Sequence, residues 1–111
     1  MTAVLEWFVY LLELGDGTLY AGIATDVARR VAEHQAGNGA RYTRGRGPVL
    51  LLEQRGPYGH GDALRVEAWL KRRRKSEKLR VLRGLDPKDG SKTLRRRRRL
   101  NHRKKSGKPL P

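Results

Sequence analysis

Of the 41 apolar residues in the chain, 38 fall within residues 1–85, and only Leu94, Leu100 and Leu110 lie beyond. Burial of apolar surface is what offsets the entropy lost on folding, so a core can form only in that first part. Charge is distributed the other way. The 111 residues carry 26 Lys and Arg against 11 Asp and Glu, a net +15. Residues 86–111 alone hold 11 basic and 2 acidic residues, a net +9. The expected organisation is one domain in residues 1–85, followed by a basic, disordered tail in residues 86–111.

Several functional classes drop out at this stage. No run of about 18 apolar residues is present, so no membrane span is expected. No basic start, apolar stretch and small-residue cleavage site opens the chain, so no signal peptide is expected either. The chain has no cysteine, which excludes disulfides, thiolate metal sites and a cysteine nucleophile, and is compatible with the cytoplasm. Three histidines leave little for a His-rich zinc site. The charge favours a polyanionic partner, nucleic acid before an anionic membrane. The tail's three leucines offer a membrane little to insert.

The element order follows from pattern. Trp7–Leu14 (WFVYLLEL) is a short apolar run suited to a strand with both faces partly covered. Asp16-Gly17 is a hairpin-turn signal, and Leu19–Ala24 reads as the returning strand. Gly22 within it marks close approach of some group to the backbone. Thr25 or Asp26 caps a helix to about Gln35 or Ala36, with Val27 and Val31 facing inward. At about 100° per residue, Arg30 and His34 border that stripe, while Arg29 and Glu33 lie on the far side. Gly37–Pro48 reads as a basic Gly-rich loop, Val49–Gln54 as a third strand and Arg55–Gly61 as a turn-rich connection. Asp62 is the expected cap of a helix from Ala63 to about Arg73, with Ala63, Val66 and Leu70 inward and Glu67 at the edge of the stripe. Ser76 is the expected cap of a short third helix. The fold class is α/β (α+β), ordered β-β-α-β-α-α, with a small three-stranded mixed sheet flanked by helices.

At this point the residues resemble a known family. Phe8-Val9-Tyr10 resembles the first motif of the GIY-YIG endonuclease domain, and Tyr20-Ala21-Gly22 the second. Phe8 stands where the first motif has Gly, and Ala21 where the second has Ile. Arg30 follows Tyr20 by ten residues, as the family arginine does, with His34 one turn later. Gly37–Gly45 (GNGARYTRG) is similar to the G-x-G-A-[KR]-Y-T segment of the small standalone branch, and Glu67 matches the family's metal-binding glutamate. An asparagine that many relatives carry after the glutamate helix is absent, as in that branch. The resemblance spans about residues 6–83.

The resemblance implies divalent-metal-dependent cleavage of nucleic acid, DNA before RNA, by Tyr10, Tyr20, Arg30, His34 and Glu67. Glu67 is the implied ligand of one Mg²⁺ or Mn²⁺, hard ions that take oxygen ligands and keep several waters. Arg30 is implied to neutralise the scissile phosphate, since its planar fork matches phosphate oxygens. Tyr20 is implied to orient or deprotonate the attacking water, with Tyr10 supporting the same water or phosphate. His34 is implied to position the phosphate or pass a proton. The plain alternatives are an Arg30 pair with Glu33 or Glu53, a Glu67 pair with Lys71, and an ordinary exposed helix histidine at His34.

Two basic regions suggest substrate contacts. Arg41, Tyr42 and Arg44 combine charge with an aromatic face on which a base can stack, unless they form only a solvated loop. Lys71, Arg72, Arg73, Arg74, Lys75, Lys78, Arg80 and Arg83 are balanced in their stretch only by Glu77. About six phosphate contacts there give a slope near −5 for log affinity against log salt. Arg72, Arg73, Lys75 and Lys78, with Lys71, are the expected backbone contacts. Monomer is the working assumption. A non-catalytic nucleic-acid-binding module and a basic accessory of an RNA assembly such as the ribosome are the alternatives.

Overall fold

A computed structural model describes residues 5–92 and 94. It contains strands β1 (Trp7–Leu14), β2 (Leu19–Ala24) and β3 (Val49–Tyr58), with helices α1 (Val27–Gln35), α2 (His60–Lys71) and α3 (Lys75–Arg83). Short 3-10 turns occupy Arg41–Thr43 and Pro87–Asp89. The order is the expected β-β-α-β-α-α.

The sheet order is β2-β1-β3, with both pairs antiparallel. The sheet is therefore wholly antiparallel rather than mixed. β2 and β3 run in the same direction across the α1 crossover, but β1 lies between them, so no parallel pair forms. As the central strand, β1 buries both faces, as its apolar run anticipated. Val9 and Leu11 enter one core with Ala63, Val66, Trp69, Leu70, Val81 and Leu82 from α2 and α3. Tyr10, Leu12 and Leu14 enter a second core with Val27 of α1 and Val49. The alternation of side chains along a strand thus divides β1 between two helical layers.

The hairpin forms where Asp16-Gly17 signalled it, with Gly17 at φ 85° and the Asp16 carboxylate accepting from the Thr18 hydroxyl and amide. Asp26 caps α1, its carboxylate accepting from the Arg29 amide at 3.1 Å. Three boundaries differ from expectation. β3 continues through Gly56 and Pro57 to Tyr58 instead of ending at Gln54. An edge strand tolerates Pro, and Gly56 leaves room for the Phe8 ring, which a Cβ would meet at 2.5 Å. α2 begins at His60, which stacks on Trp7 with centroids 4.3 Å apart. Asp62 is therefore inside α2 and does not cap it; it accepts from Arg65 and from the Ser91 hydroxyl, tethering the segment after α3. α3 begins at Lys75, one residue ahead of the expected Ser76 cap, and Arg74 is its N-cap residue.

Burial does not stop at residue 85. Leu85 and Leu94 are 5% and 7% exposed and belong to the α2–α3 core. Leu94 covers apolar surface of that core, and the Ser91–Asp62 hydrogen bond holds the same segment against α2. The arginine run Arg95–Arg99 and the rest of the expected tail lie outside the described residues. Among the described residues, no helix is long and apolar enough to cross a membrane.

Candidate active site

The hairpin brings the two motif tyrosines together. Tyr10 pairs across the sheet with Gly22, and Leu12 with Tyr20, so Tyr10 and Tyr20 share the face covered by α1. Their ring centroids are 6.4 Å apart. Gly22 is required here, because a Cβ on it would overlap the Tyr10 phenol. This is the close approach that a glycine inside a strand implies.

His34 reaches the same place from α1. Its ring lies 5.9 Å from that of Tyr10 and 5.4 Å from that of Tyr20. It is not the exposed histidine that helix position alone allows: it is 3% exposed. The Gly-rich loop folds over it. Gly39 packs so tightly that a Cβ would stand 2.8 Å from the His34 Cα. His34 Nε2 lies 3.0 Å from the Tyr10 hydroxyl, and His34 Nδ1 lies 2.9 Å from the Thr43 hydroxyl. Burial, followed by the charge of Arg30, holds the His34 pKa below its ordinary value, so the imidazole is neutral at pH 7.

Arg30 and Glu67 border this aromatic group. Arg30 sits one turn before His34 and pairs with Glu33 at 3.0 Å. Of the two plain alternatives for Arg30, Glu33 is the partner; Glu53 instead faces Arg83 at 3.4 Å and Arg55 at 4.0 Å. Glu67 pairs with Lys71 at 3.4 Å, and its side chain is 19% exposed. The Lys71 ammonium lies 5.8 Å from the Tyr20 ring centroid, which brings α2 to the edge of the tyrosine face. Burial pushes the Tyr10 phenol up to about 12 against the pull of Arg30, while Tyr20 and Glu67 act in the same direction as burial. All five residues singled out in the sequence therefore share one electrostatic environment. Among the described residues no group of three or more His, Cys, Asp or Glu could hold a metal ion.

The loop residues divide. Tyr42 stacks on Tyr20 at 5.8 Å and 24°, and the Arg46 guanidinium lies 4.2 Å over the Tyr42 ring. Arg46 also pairs with Asp16 at 2.9 Å, tying the loop to the β1–β2 hairpin. Arg41 and Arg44 are exposed. Thr43 and Arg46 were not among the sequence candidates. Thr43 is part of the loop motif, but only the fold places its hydroxyl against His34.

The basic residues of α2 and α3 also divide. Lys71, Arg72 and Lys75 are exposed. Lys78 instead donates to the carbonyls of Leu70 and Lys71 at 2.9 and 3.0 Å, capping the end of α2. Arg73 donates to the Trp69 carbonyl at 3.3 Å and lies 5.1 Å over the Trp69 ring. Lys78 thus links α3 to the end of α2 and Arg73 folds back on α2, so both are less available to a phosphate than the sequence suggested. A cleft of about 530 Å³ lies elsewhere, among Asp62, Arg65, Trp69, Arg72, Lys92 and Leu94, and none of the five site residues lines it.

Residues 6–80 match the GIY-YIG catalytic domain family. The chain is 50% identical over 76 residues to a UPF0213 protein of Nitratidesulfovibrio vulgaris, covering 68% of this chain and 69% of that one. It is 46% identical over 79 residues to a UPF0213 protein of Cupriavidus pinatubonensis, covering 71% and 88%. A UPF0213 protein of Bacillus halodurans, whose structure was solved in solution by NMR, shares 36% identity with a TM-score of 0.45, covering 80% of this chain and 96% of that one. With Tyr10, Tyr20, Arg30 and Glu67 all inside the matched span, the chain belongs to the GIY-YIG nuclease family, among its UPF0213 members.

Proposed function

We propose that the protein is a divalent-metal-dependent endonuclease that cleaves DNA with low sequence specificity, favouring branched, flapped or single-stranded forms, as repair or recombination requires. The observation that carries this reading is the convergence of Tyr10, Tyr20 and His34 within 6.4 Å between ring centroids, bordered by Arg30 and Glu67. Phosphodiester hydrolysis needs an oriented water, neutralisation of charge on the phosphate and help for the leaving oxygen.

Glu67 fits a hard divalent ion: its half-buried carboxylate pairs with the exposed Lys71, and one carboxylate suffices for an ion that keeps its waters. Bound there, Mg²⁺ or Mn²⁺ would supply Lewis-acid neutralisation of the phosphate. Arg30 leaves Glu33 to grip the phosphate, an exchange that gives up little because half-exposed pairs contribute under about 1 kcal/mol. Tyr20 orients the attacking water, and Tyr10 and His34 hold the inner side of the site. Arg41 and Arg44 follow the backbone, and Tyr42 exchanges its stacking on Tyr20 for stacking on a base. Lys71, Arg72 and Lys75 extend the path along the helices.

The test is incubation of purified protein with labelled branched and linear DNA in Mg²⁺ or Mn²⁺. Cleavage is expected, and its loss is expected in Glu67→Ala and Tyr20→Phe. Cleavage unchanged in both variants refutes the site assignment. A second reading, a module that holds nucleic acid without cutting it, is favoured by the ion pairs that already occupy Arg30 and Glu67. Salt-sensitive binding with no cleavage supports it.

A further inference from the structure

Thr43 is buried, 3% exposed, in the 3-10 turn at the end of the loop motif, and its hydroxyl has one proton to place. The Thr43 oxygen lies 2.8 Å from the Ala40 carbonyl and 2.9 Å from His34 Nδ1. A carbonyl only accepts, so the Thr43 proton goes to Ala40. The contact with Nδ1 is then favourable only if Nδ1 carries the imidazole proton. Nε2 is consequently bare, and the Tyr10 hydroxyl 3.0 Å away must donate to it. The opposite tautomer would let Nδ1 accept from the Ala40 amide, whose N–H is directed at it from 3.4 Å, the longest of the hydrogen bonds to the ring. It would also set the Thr43 and Ala40 oxygens face to face with no proton between them.

We propose that Thr43 is a positioning residue: through His34 it commits the Tyr10 proton inward, so that the Tyr10 oxygen faces the active site as a hydrogen-bond acceptor. The proposal rests on the nuclease reading for what Tyr10 accepts, namely a hydrogen bond from the attacking water or from Arg30. Arg30 has donors only, and it acts on Tyr10 in the sense expected of a donor facing an acceptor. The neutrality of His34 keeps a second imidazole proton from competing for the Tyr10 oxygen. The same turn carries Arg41 and Tyr42, so the loop that meets substrate is bonded to the inner tyrosine through one hydroxyl.

Two-bond ¹H–¹⁵N correlation of the His34 ring reads the tautomer directly and does not depend on activity. The Nδ1–H form is expected in the native protein and in Thr43→Ser. In Thr43→Val, of the same shape without the hydroxyl, the Nε2–H form is expected. The cleavage rate is expected to fall about tenfold in Thr43→Val at unchanged KM and to be retained in Thr43→Ser, the usual scale for losing a group that orients a functional imidazole. An Nε2–H form in the native protein overturns the proposal even if Thr43→Val fails to fold. So does Thr43→Val that keeps both the Nδ1–H form and the full rate. A tautomer switch in a protein that cleaves no DNA refutes the nuclease reading while upholding the hold of Thr43 on His34.

Discussion

Tyr10, His34 and Thr43 hold one another inside the fold across 24 and 9 residues of chain, whereas the ion pairs of Arg30 and Glu67 are with neighbours three and four residues along their own helices. The inner group is nearly inaccessible, with Tyr10 at 1% and His34 at 3% exposed. The outer pair faces water on one side. The contrast separates two jobs within one site. Groups that must keep a fixed proton and orientation are locked by tertiary contacts. On the proposed reading, Arg30 and Glu67 are the groups that meet a phosphate and an ion, and their weak local pairs are ones a ligand can displace. Tyr20 stands between them, covered by Tyr42.

The largest effect should come from the outer pair. Arg30→Ala is expected to lower the cleavage rate by about 10²–10³-fold, the scale of losing one group aimed at developing charge. Its stability in urea should stay within about 0.5 kcal/mol of native, because the Glu33 pair is half-exposed. A stability loss as large as that of an inner variant would erase the distinction between the two rows.

The inner row should behave in the opposite proportion. His34→Ala leaves a cavity and strands the Tyr10 and Thr43 hydroxyls, so urea unfolding should show a loss of about 2–4 kcal/mol. High pH offers a second probe. Burial pushes both Tyr10 and Tyr58 up to about 12 from the ordinary value of 10.0. A raised folded-state pKa favours the protonated form, so this stability is complete below pH 10 and is lost as pH rises through about 12. Unfolding free energies measured in urea from pH 9 to pH 12 should fall over that window, by about 3 kcal/mol at most for each tyrosine. In Tyr10→Phe the fall should be shallower; an unchanged fall would place the ionisation elsewhere.

The smallest effects sharpen the same division on the basic helices. Lys78→Ala should cost about 1–2 kcal/mol of stability, because it removes a charged cap from two carbonyls, and should barely change the salt dependence of binding. Arg72→Ala and Lys75→Ala should leave stability nearly intact and each reduce the magnitude of the log–log salt slope by about 1. Fluorescence anisotropy with labelled DNA across a salt series measures the slope. Equal slopes for all three variants would mean that the hydrogen bonds of Lys78 do not withhold it from phosphate.

Much of this was legible in local signals. Asp16-Gly17 located the hairpin, Asp26 the start of α1, and the apolar run Trp7–Leu14 a strand buried on both faces. These depend on φ preference, capping and periodicity, which act within a few residues. The end of β3 was not legible, because Gly56-Pro57 reads as a turn until the Phe8 ring is seen lying against Gly56. Asp62 looked like a cap until Ser91 and Arg65 claimed its carboxylate. Lys78 looked like one base among many until the end of α2 came within its reach. Leu94 looked stranded in a basic stretch until an apolar surface received it.

The amino-acid sequence by itself determined the element order, the two-layer demand of β1 and the spacing of Tyr10, Tyr20, Arg30 and Glu67, because each follows from periodicity or from motif spacing along the chain. The tertiary structure decided which bases are committed to the fold, placed β1 between β2 and β3, and buried His34 between Tyr10 and Thr43. Those outcomes depend on which surfaces meet across the sheet, and a proton's place between two side chains is set by distances that spacing along the chain does not contain.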